Sequence, residues 1–189
     1  MMRRDPGGDV LLVWWRLAPL LLVCLLGACA SPVPTLDGSR SIVLRHSSSH
    51  EELATCYFHN GGYDRKAMFE ISMLMRDRRS NQITDIDPRL IDLLHGLPLS
   101  LGLPEMTPIE ITSGYRSELT NAALSRTNPN VAERSYHIRG QAADIHIAGV
   151  APQELARAAA ELHRGGYAWY PRTGHVHVDV GPVRTWRTD

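Results

Sequence analysis

The chain has few of the features by which several large classes of protein are recognised. Its 189 residues include three cysteines, too few for a disulfide framework. Its 20 Lys and Arg residues balance its 20 Asp and Glu residues, so no excess of positive charge points to a nucleic-acid partner. The apolar fraction of 43% excludes wholesale disorder. This length and composition indicate one folded domain and leave its activity open.

The chain also lacks an apolar run long enough to span a bilayer. Its longest run, at residues 17–26, is shorter than the ~18 apolar residues that a membrane-spanning helix requires. Arg3 and Arg4 precede the run, and the small residues at 27–28 follow it. A charged start, a short apolar core and small residues at the end are typical of a secretory signal.

The end of this signal resembles the lipobox of bacterial lipoproteins. It reads Leu-Gly-Ala-Cys at 26–29, which makes Cys29 the expected site of acylation. We expect three segments: a lipoprotein signal peptide at 1–28, a lipid-anchored tether at 29–49 and a folded domain at 50–189. Ala30, in place of an acidic residue, favours the outer membrane and a periplasmic location. The alternative is ordinary cleavage near Ala28, which would release a soluble periplasmic protein.

Periodicity in the remaining chain predicts an α+β fold. Helical spacing of apolar residues occurs at 64–78, 88–95, 117–124 and 152–164. Short strands are expected at 41–45, 108–113, 142–147 and 175–180. Asp87 is placed to cap the second helix and Gly96 to end it. Because helices crowd the first half and strands the second, we expect a small antiparallel sheet packed against helices.

The last predicted strand carries the strongest chemical signal. Side chains alternate along a strand, so His175, His177 and Asp179 share one face, and three valines form the other. The valine face indicates burial against a core. Two imidazoles and a carboxylate on the opposite face favour a binding site, although a solvated face is the plainer alternative.

A second signal lies at residues 135–144. His137 precedes a glycine-containing turn, and Asp144 follows in the next strand. Imidazole nitrogens and carboxylate oxygens both bind Zn²⁺, and three protein ligands with one open position are typical of a catalytic zinc site. His137, Asp144 and one histidine of the pair His175 and His177 would supply that set. Spacing alone does not choose between the two histidines.

A third signal is Ser-Gly-Tyr-Arg-Ser at 113–117, just after a predicted strand. Taken alone, it describes a turn with a solvated arginine. Beside a zinc site, the Arg116 guanidinium gains a role, because it can stabilise the oxygen that becomes negative when a peptide carbonyl is attacked.

Together these motifs resemble those of a known superfamily. The matching stretches are 113–117 with Asn121, 135–144, 165–166, 170–171 and 175–186. In this order they are similar to the zinc D-alanyl-D-alanine carboxypeptidase and murein endopeptidase superfamily, and most similar to its exported murein endopeptidase K subgroup. The resemblance implies the fold shared with the hedgehog signalling domain, and it makes residues 50–189 the zinc peptidase domain.

The resemblance also implies roles for particular residues. It makes His137, Asp144 and His177 the Zn²⁺ ligands, and Arg116 both a substrate contact and the oxyanion clamp. It further makes Ser135 a substrate contact. Many relatives place an acid three residues before the last ligand as general base. Here Gly174 occupies that position, so His175 becomes the candidate base, and Asp179 can orient a histidine through a hydrogen bond.

The implied function is hydrolysis of peptide cross-links in peptidoglycan. The subgroup resemblance implies cutting next to meso-diaminopimelate, with 3-3 (L,D) cross-links favoured over 4-3 (D,D) ones, during cell-wall remodelling. The expected partners are peptidoglycan stem peptides and, through the lipid anchor, a membrane. Two alternatives stay open: a D,D- or L,D-carboxypeptidase that trims stem peptides, and a non-catalytic zinc-containing module that binds peptidoglycan.

Overall fold

The computed structural model describes residues 38–186 of the chain. Its strands are β1 (Arg40–His46), β2 (Glu52–His59), β3 (Gly62–Tyr63), β4 (Ile109–Ser113), β5 (Ala142–Ile147), β6 (Gly166–Trp169), β7 (Val176–Asp179) and β8 (Arg184–Thr185). Its helices are α1 (Arg65–Leu74), α2 (Pro88–Ser100), α3 (Glu118–Ser125) and α4 (Pro152–Leu162). A short 3-10 helix, Tyr136–Arg139, precedes β5. Between residues 38 and 186, no helix is long and apolar enough to cross a membrane.

The strands form one sheet in the order β3-β2-β1-β4-β5-β7-β6-β8. Most neighbours are antiparallel, but β1 pairs with β4 and β6 pairs with β8 in parallel. The predicted α+β class is confirmed. The sheet is larger than the small antiparallel sheet that was expected, since it has eight strands and two of its pairings are parallel. The parallel pair β1 and β4 requires a long crossover, and α1 and α2 lie in the segment that connects them.

The folded domain begins earlier than the sequence predicted. Strand β1 pairs with both β2 and β4 inside the sheet, and its Ile42 and Leu44 are fully buried. The expected tether at 29–49 is therefore wrong from residue 40 onward, because this stretch supplies an interior strand. The predicted signal peptide at 1–28 and the acylated Cys29 lie outside the described residues.

One face of the sheet is apolar and the other carries polar residues around β5 and β7, as the alternation in β7 predicted. On one face, apolar side chains such as Ile111, Ile145 and Val176 join residues of α1, α2 and α4 in a single core. The opposite face of β5 and β7 carries Asp144 and His177. Core packing on one side thus holds these polar residues rigidly in place on the other.

An aspartate caps the N-terminus of each of the first two helices. The Asp64 side chain accepts a hydrogen bond from the Ala67 N–H (2.8 Å) at the start of α1. The Asp87 side chain accepts one from the Arg89 N–H (3.0 Å) at the start of α2, where Pro88 is the first helical residue. Both caps satisfy amides that have no partner within the helix.

The expected stop of α2 at Gly96 is wrong, because the helix continues to Ser100. A β-carbon at Gly96 would lie 3.3 Å from the Leu162 side chain of α4. The glycine therefore serves close packing between two helices. The end of α2 follows Pro98, whose missing N–H weakens the last turn.

Candidate metal centre and substrate groove

Two neighbouring strands bring an aspartate and a histidine together. Asp144 on β5 is the register partner of His177 on β7, so their side chains leave the sheet on the same side. The Asp144 Oδ1 atom lies 2.9 Å from His177 Nδ1. Both residues are buried. The register of the sheet thus fixes this pair.

The third residue of this cluster, His137, comes from the 3-10 helix before β5. Ser135 caps that helix, because its Oγ accepts a hydrogen bond from the His137 N–H (3.3 Å). Gly140 ends it with a positive φ of 64°, in the left-handed region. His137 Nε2 lies 3.2 Å from His177 Nδ1 and 3.3 Å from Asp144 Oδ1. The short helix therefore delivers a buried imidazole to the strand pair.

The His137 and His177 rings are each oriented by a hydrogen bond from the ring nitrogen that faces away from the cluster. His137 Nδ1 lies 2.6 Å from the Gly114 carbonyl, and His177 Nε2 lies 3.1 Å from Asp179 Oδ2. Carbonyl and carboxylate oxygens only accept hydrogen bonds, so these two nitrogens carry the protons. The lone pairs of the neutral rings, on His137 Nε2 and His177 Nδ1, consequently point inward.

The inward atoms fit a bound zinc ion. Two imidazole nitrogens and a carboxylate oxygen face one another, and all three lie within 4.8 Å of each other. Ligands of a tetrahedral zinc at ~2.0–2.2 Å from the metal are roughly 3.3–3.6 Å apart. The three separations here are 2.9, 3.2 and 3.3 Å. Three electron-pair donors at such distances repel one another unless a proton or a cation lies between them.

The protonation states also suit metal binding. Burial lowers the pKa of His137 to about 4, which keeps this ring neutral at pH 7. Burial raises the pKa of Asp144, but the His137 and His177 rings and the Arg116 guanidinium outweigh it and hold the pKa well below its usual value. Without a metal, the Asp144 and Asp179 carboxylates raise the pKa of His177 against its burial. Metal binding and protonation of His177 therefore compete for the same inward-facing nitrogen.

Arg116 lies beside the same cluster. Its Nε donates to Ser113 Oγ (2.8 Å), and its Nη2 forms an ion pair with Asp144 Oδ2. Asp144 therefore uses one oxygen toward the histidines and the other toward the arginine. These two contacts hold the guanidinium at the edge of the cluster.

His175 directly precedes β7 and lines the same groove as His177. Its Nδ1 is 2.7 Å from Thr173 Oγ1, and its ring stacks on Tyr170 with centroids 4.3 Å apart. Burial lowers the pKa of His175, so the ring is neutral at pH 7 and can accept a proton. Gly174 before it has a φ of +72°, which L residues with a side chain rarely adopt. The conformation of this turn thus favours glycine at position 174.

A groove of about 390 Å³ joins these residues. Every site residue that the sequence predicted within the described range lines it: Arg116, Ser135, His137, Asp144, His175 and His177. Three histidines, a carboxylate held by an arginine, and that arginine all face one groove, and such a set can hold a dication, orient a carbonyl and move a proton.

Comparison with known proteins identifies the family. The profile of the family described as peptidoglycan L,D-endopeptidase MepK matches residues 35–186. Peptidoglycan L,D-endopeptidase MepK of Escherichia coli (strain K12) is 39% identical over 166 residues, which cover 85% of this chain and 90% of that protein. The chain belongs to the MepK family.

Other relatives extend this comparison. The probable peptidoglycan L,D-endopeptidase MepK of Haemophilus influenzae is 38% identical over 148 residues, which cover 78% of this chain and 79% of that protein. The crystal structure of Serratia marcescens L-Ala D-Glu endopeptidase ChiX matches 49% of this chain and 80% of that chain, with a TM-score of 0.33 and 19% identity. That similarity is too low to bear on the site.

In this MepK family member, Asp77 fixes the backbone directly after Arg116, a role that was not predicted from the sequence. The buried Asp77 carboxylate accepts hydrogen bonds from the Ser117 N–H (2.8 Å) and the Arg79 N–H (2.9 Å). Burial raises the pKa of Asp77, but bonds from Ser117, Thr120 and Arg79 outweigh it and lower the pKa. In the sequence, Asp77 stands among three arginines and resembles any solvated charge, so no local signal marks it.

Asp179 was expected to orient a histidine, but the extent of its bonding was not foreseen. It is completely buried, binds His177 Nε2 and forms two hydrogen bonds with the Arg184 guanidinium (2.7 and 3.0 Å). A β-carbon at Gly165 would overlap the Asp179 carbonyl, and one at Gly166 would overlap the Asp179–Arg184 pair. The two glycines make room for this support.

Proposed function

We propose that this chain is a zinc-dependent endopeptidase that hydrolyses peptide cross-links of peptidoglycan next to meso-diaminopimelate, with 3-3 (L,D) cross-links favoured. The observation that carries the proposal is the convergence of His137 Nε2, Asp144 Oδ1 and His177 Nδ1 in a groove that also contains Arg116 and His175. The names of the curated MepK relatives support the choice of substrate.

In this proposal, His137, Asp144 and His177 hold Zn²⁺. When bound, the ion polarises the scissile carbonyl and makes a water molecule acidic enough to attack near neutral pH. The ligands need no rearrangement, because their outer partners already aim the lone pairs inward. The donor set of two nitrogens and one oxygen leaves one position for water or substrate.

His175 and Arg116 carry out the steps at the substrate. His175 accepts the proton of the attacking water at a ring nitrogen and returns it to the leaving amine. Proton transfer of this kind contributes about 10²–10⁴-fold to a rate. Arg116 donates hydrogen bonds to the oxygen on which negative charge develops, and its bond to Ser113 keeps it aimed there. Ser135, at the groove wall, contacts the stem peptide.

The proposed location is the periplasmic face of the outer membrane. The predicted signal peptide and acylated Cys29 support it, as does a substrate that lies in the envelope. Cell fractionation tests this assignment. Wild-type protein should sediment with outer membranes, and Cys29→Ala should appear in the soluble fraction or in the inner membrane. Recovery of the Cys29→Ala protein in outer membranes would contradict the anchor.

The activity is tested on purified muropeptide dimers with 3-3 and 4-3 cross-links. We expect monomers as products, faster from 3-3 dimers, with activity lost to a chelator and restored by Zn²⁺. His137→Ala should be inactive, whereas His163→Ala, a matched change at an exposed residue after α4, should match wild type. Unchanged cleavage after metal removal, or by His137→Ala, would refute the mechanism.

One observation keeps a second function in view. Gly174 occupies the position at which the superfamily resemblance implies an acidic base, which suits a zinc-containing module that binds peptidoglycan without turnover. The same assay separates the possibilities. Monomers from dimers indicate the endopeptidase, shortened stems indicate a carboxypeptidase, and tight binding without product indicates the module.

A further inference from the structure

The groove is positively charged although the chain as a whole is neutral. Lys and Arg number 20 in the chain, as do Asp and Glu. The described residues that line the groove include four arginines and one acid, Asp144. The four arginines are Arg116, Arg134, Arg172 and Arg184. This local excess follows from the fold and not from the overall composition.

Two of the four arginines are already neutralised. Arg116 pairs with Asp144, and Arg184 pairs with Asp179. Arg134 and Arg172 have no acidic partner within residues 38–186, and both are exposed. Two unpaired guanidinium groups thus face the groove that holds the proposed catalytic residues.

Both arginines are attached to segments that the site holds in place. Arg134 directly precedes Ser135, the residue that caps the 3-10 helix of His137. Arg172 lies in the turn between β6 and β7. That turn is closed by hydrogen bonds from the Gly174 N–H to the Tyr170 carbonyl (2.7 Å) and from the Tyr170 N–H to the His175 carbonyl (3.0 Å). The backbone that carries each guanidinium is therefore held in place within the groove of the candidate metal ligands.

We infer that Arg134 and Arg172 form a carboxylate-binding subsite that recognises the free carboxylates of the stem peptides beside the scissile bond. This inference rests on the proposed function. The γ-linked D-glutamate and the meso-diaminopimelate of a stem each carry a carboxylate that is not part of the peptide chain. The planar guanidinium of arginine binds such a group through two parallel hydrogen bonds. Amidation of these carboxylates removes the charge and the second acceptor.

Binding tests the subsite apart from catalysis. The probes are two stem tetrapeptides, one with free carboxylates and one with the D-glutamate and meso-diaminopimelate carboxylates amidated. Calorimetry with the full chain should give a Kd for the free acid that is roughly threefold to tenfold lower, as for partly exposed charge-assisted bonds. Arg134→Gln and Arg172→Gln should each reduce this preference, and the double variant should bind both peptides equally. Arg164→Gln, a matched exposed arginine outside the groove, should keep the preference.

Equal binding of both peptides by the wild-type chain, or a preference retained by the double variant, would overturn the subsite. Cleavage of muropeptide dimers is measured in parallel. Absence of product from every dimer contradicts the proposed endopeptidase, while a preference in binding that depends on the two arginines still supports the subsite. The two proposals thus fail through different measurements.

Discussion

Asp179→Asn tests how far the metal centre depends on a residue that never touches the metal. Asp179 is completely buried and accepts hydrogen bonds from His177 Nε2 (3.1 Å), from Arg184 and from the Gly166 and Gly181 amides. Asparagine has the same shape but exchanges one oxygen for an NH₂ group. The substitution therefore changes hydrogen bonding and charge with little change in packing.

Either orientation of the new amide is unfavourable. If its NH₂ group faces His177, Nε2 must become the acceptor and the proton moves to Nδ1, the atom proposed to bind zinc. If its oxygen faces His177, its NH₂ group faces the N–H groups of Gly166 and Gly181. Donors then face donors, and these two amides lose their acceptor. Loss of such an outer partner typically costs 10–100-fold in metal affinity. We therefore expect a zinc Kd 10–100-fold higher, equivalent to about 1.4–2.8 kcal/mol.

The measurement is zinc titration of the purified chain against a chromogenic chelator. Asp85→Asn, the same chemical change at an exposed position, is the control and should bind zinc as wild type does. Urea unfolding with and without zinc shows that the variant folds and how much the metal stabilises it. A folded Asp179→Asn protein with wild-type zinc affinity would refute the claim that Asp179 selects the His177 tautomer.

Three further results are expected. His175→Gln should lower kcat about 10²-fold or more with zinc content unchanged, as kinetics and metal analysis would show; wild-type kcat would exclude His175 as the base. Asp77→Ala should lower the free energy of unfolding by about 1–3 kcal/mol at pH 7. The folded pKa of Asp77 is depressed, so this difference should shrink as pH falls below ~4, and a constant difference would contradict the argument. Gly165→Ala should unfold at lower urea than Gly62→Ala, whose β-carbon meets nothing; equal midpoints would contradict the close contact.

The fold was predictable from sequence where patterns are local. Asp87 caps its helix as expected, and β5 has the predicted bounds. Strand β2 was missed because much of it is exposed and its apolar pattern is weak. The extent of the sheet also depends on long-range pairing, such as β1 with β4, which periodicity in one segment does not reveal.

The candidate site was predictable to a different degree. Alternation in β7 placed His177 and Asp179 on one face, and the family resemblance selected His177 over His175 as the metal ligand. Spacing did not foresee that His137 Nδ1 would bind the Gly114 carbonyl, because this contact depends on how a 3-10 helix meets the end of β4. The role of Asp77 was hidden for the same reason, since its partner Ser117 lies 40 positions away in the chain.

The charges of the centre explain why arginines accompany its carboxylates. Two buried acids, Asp144 and Asp179, are each paired with one arginine, Arg116 and Arg184, so each carboxylate has a cation beside it. This balance lets the chain fold with two ionised carboxylates out of water, which would otherwise be costly. A bound dication then leaves a net positive charge in the groove. That excess favours both a substrate rich in carboxylates and a transition state in which an oxygen becomes negative. The same pairs that permit folding therefore set the polarity that hydrolysis requires.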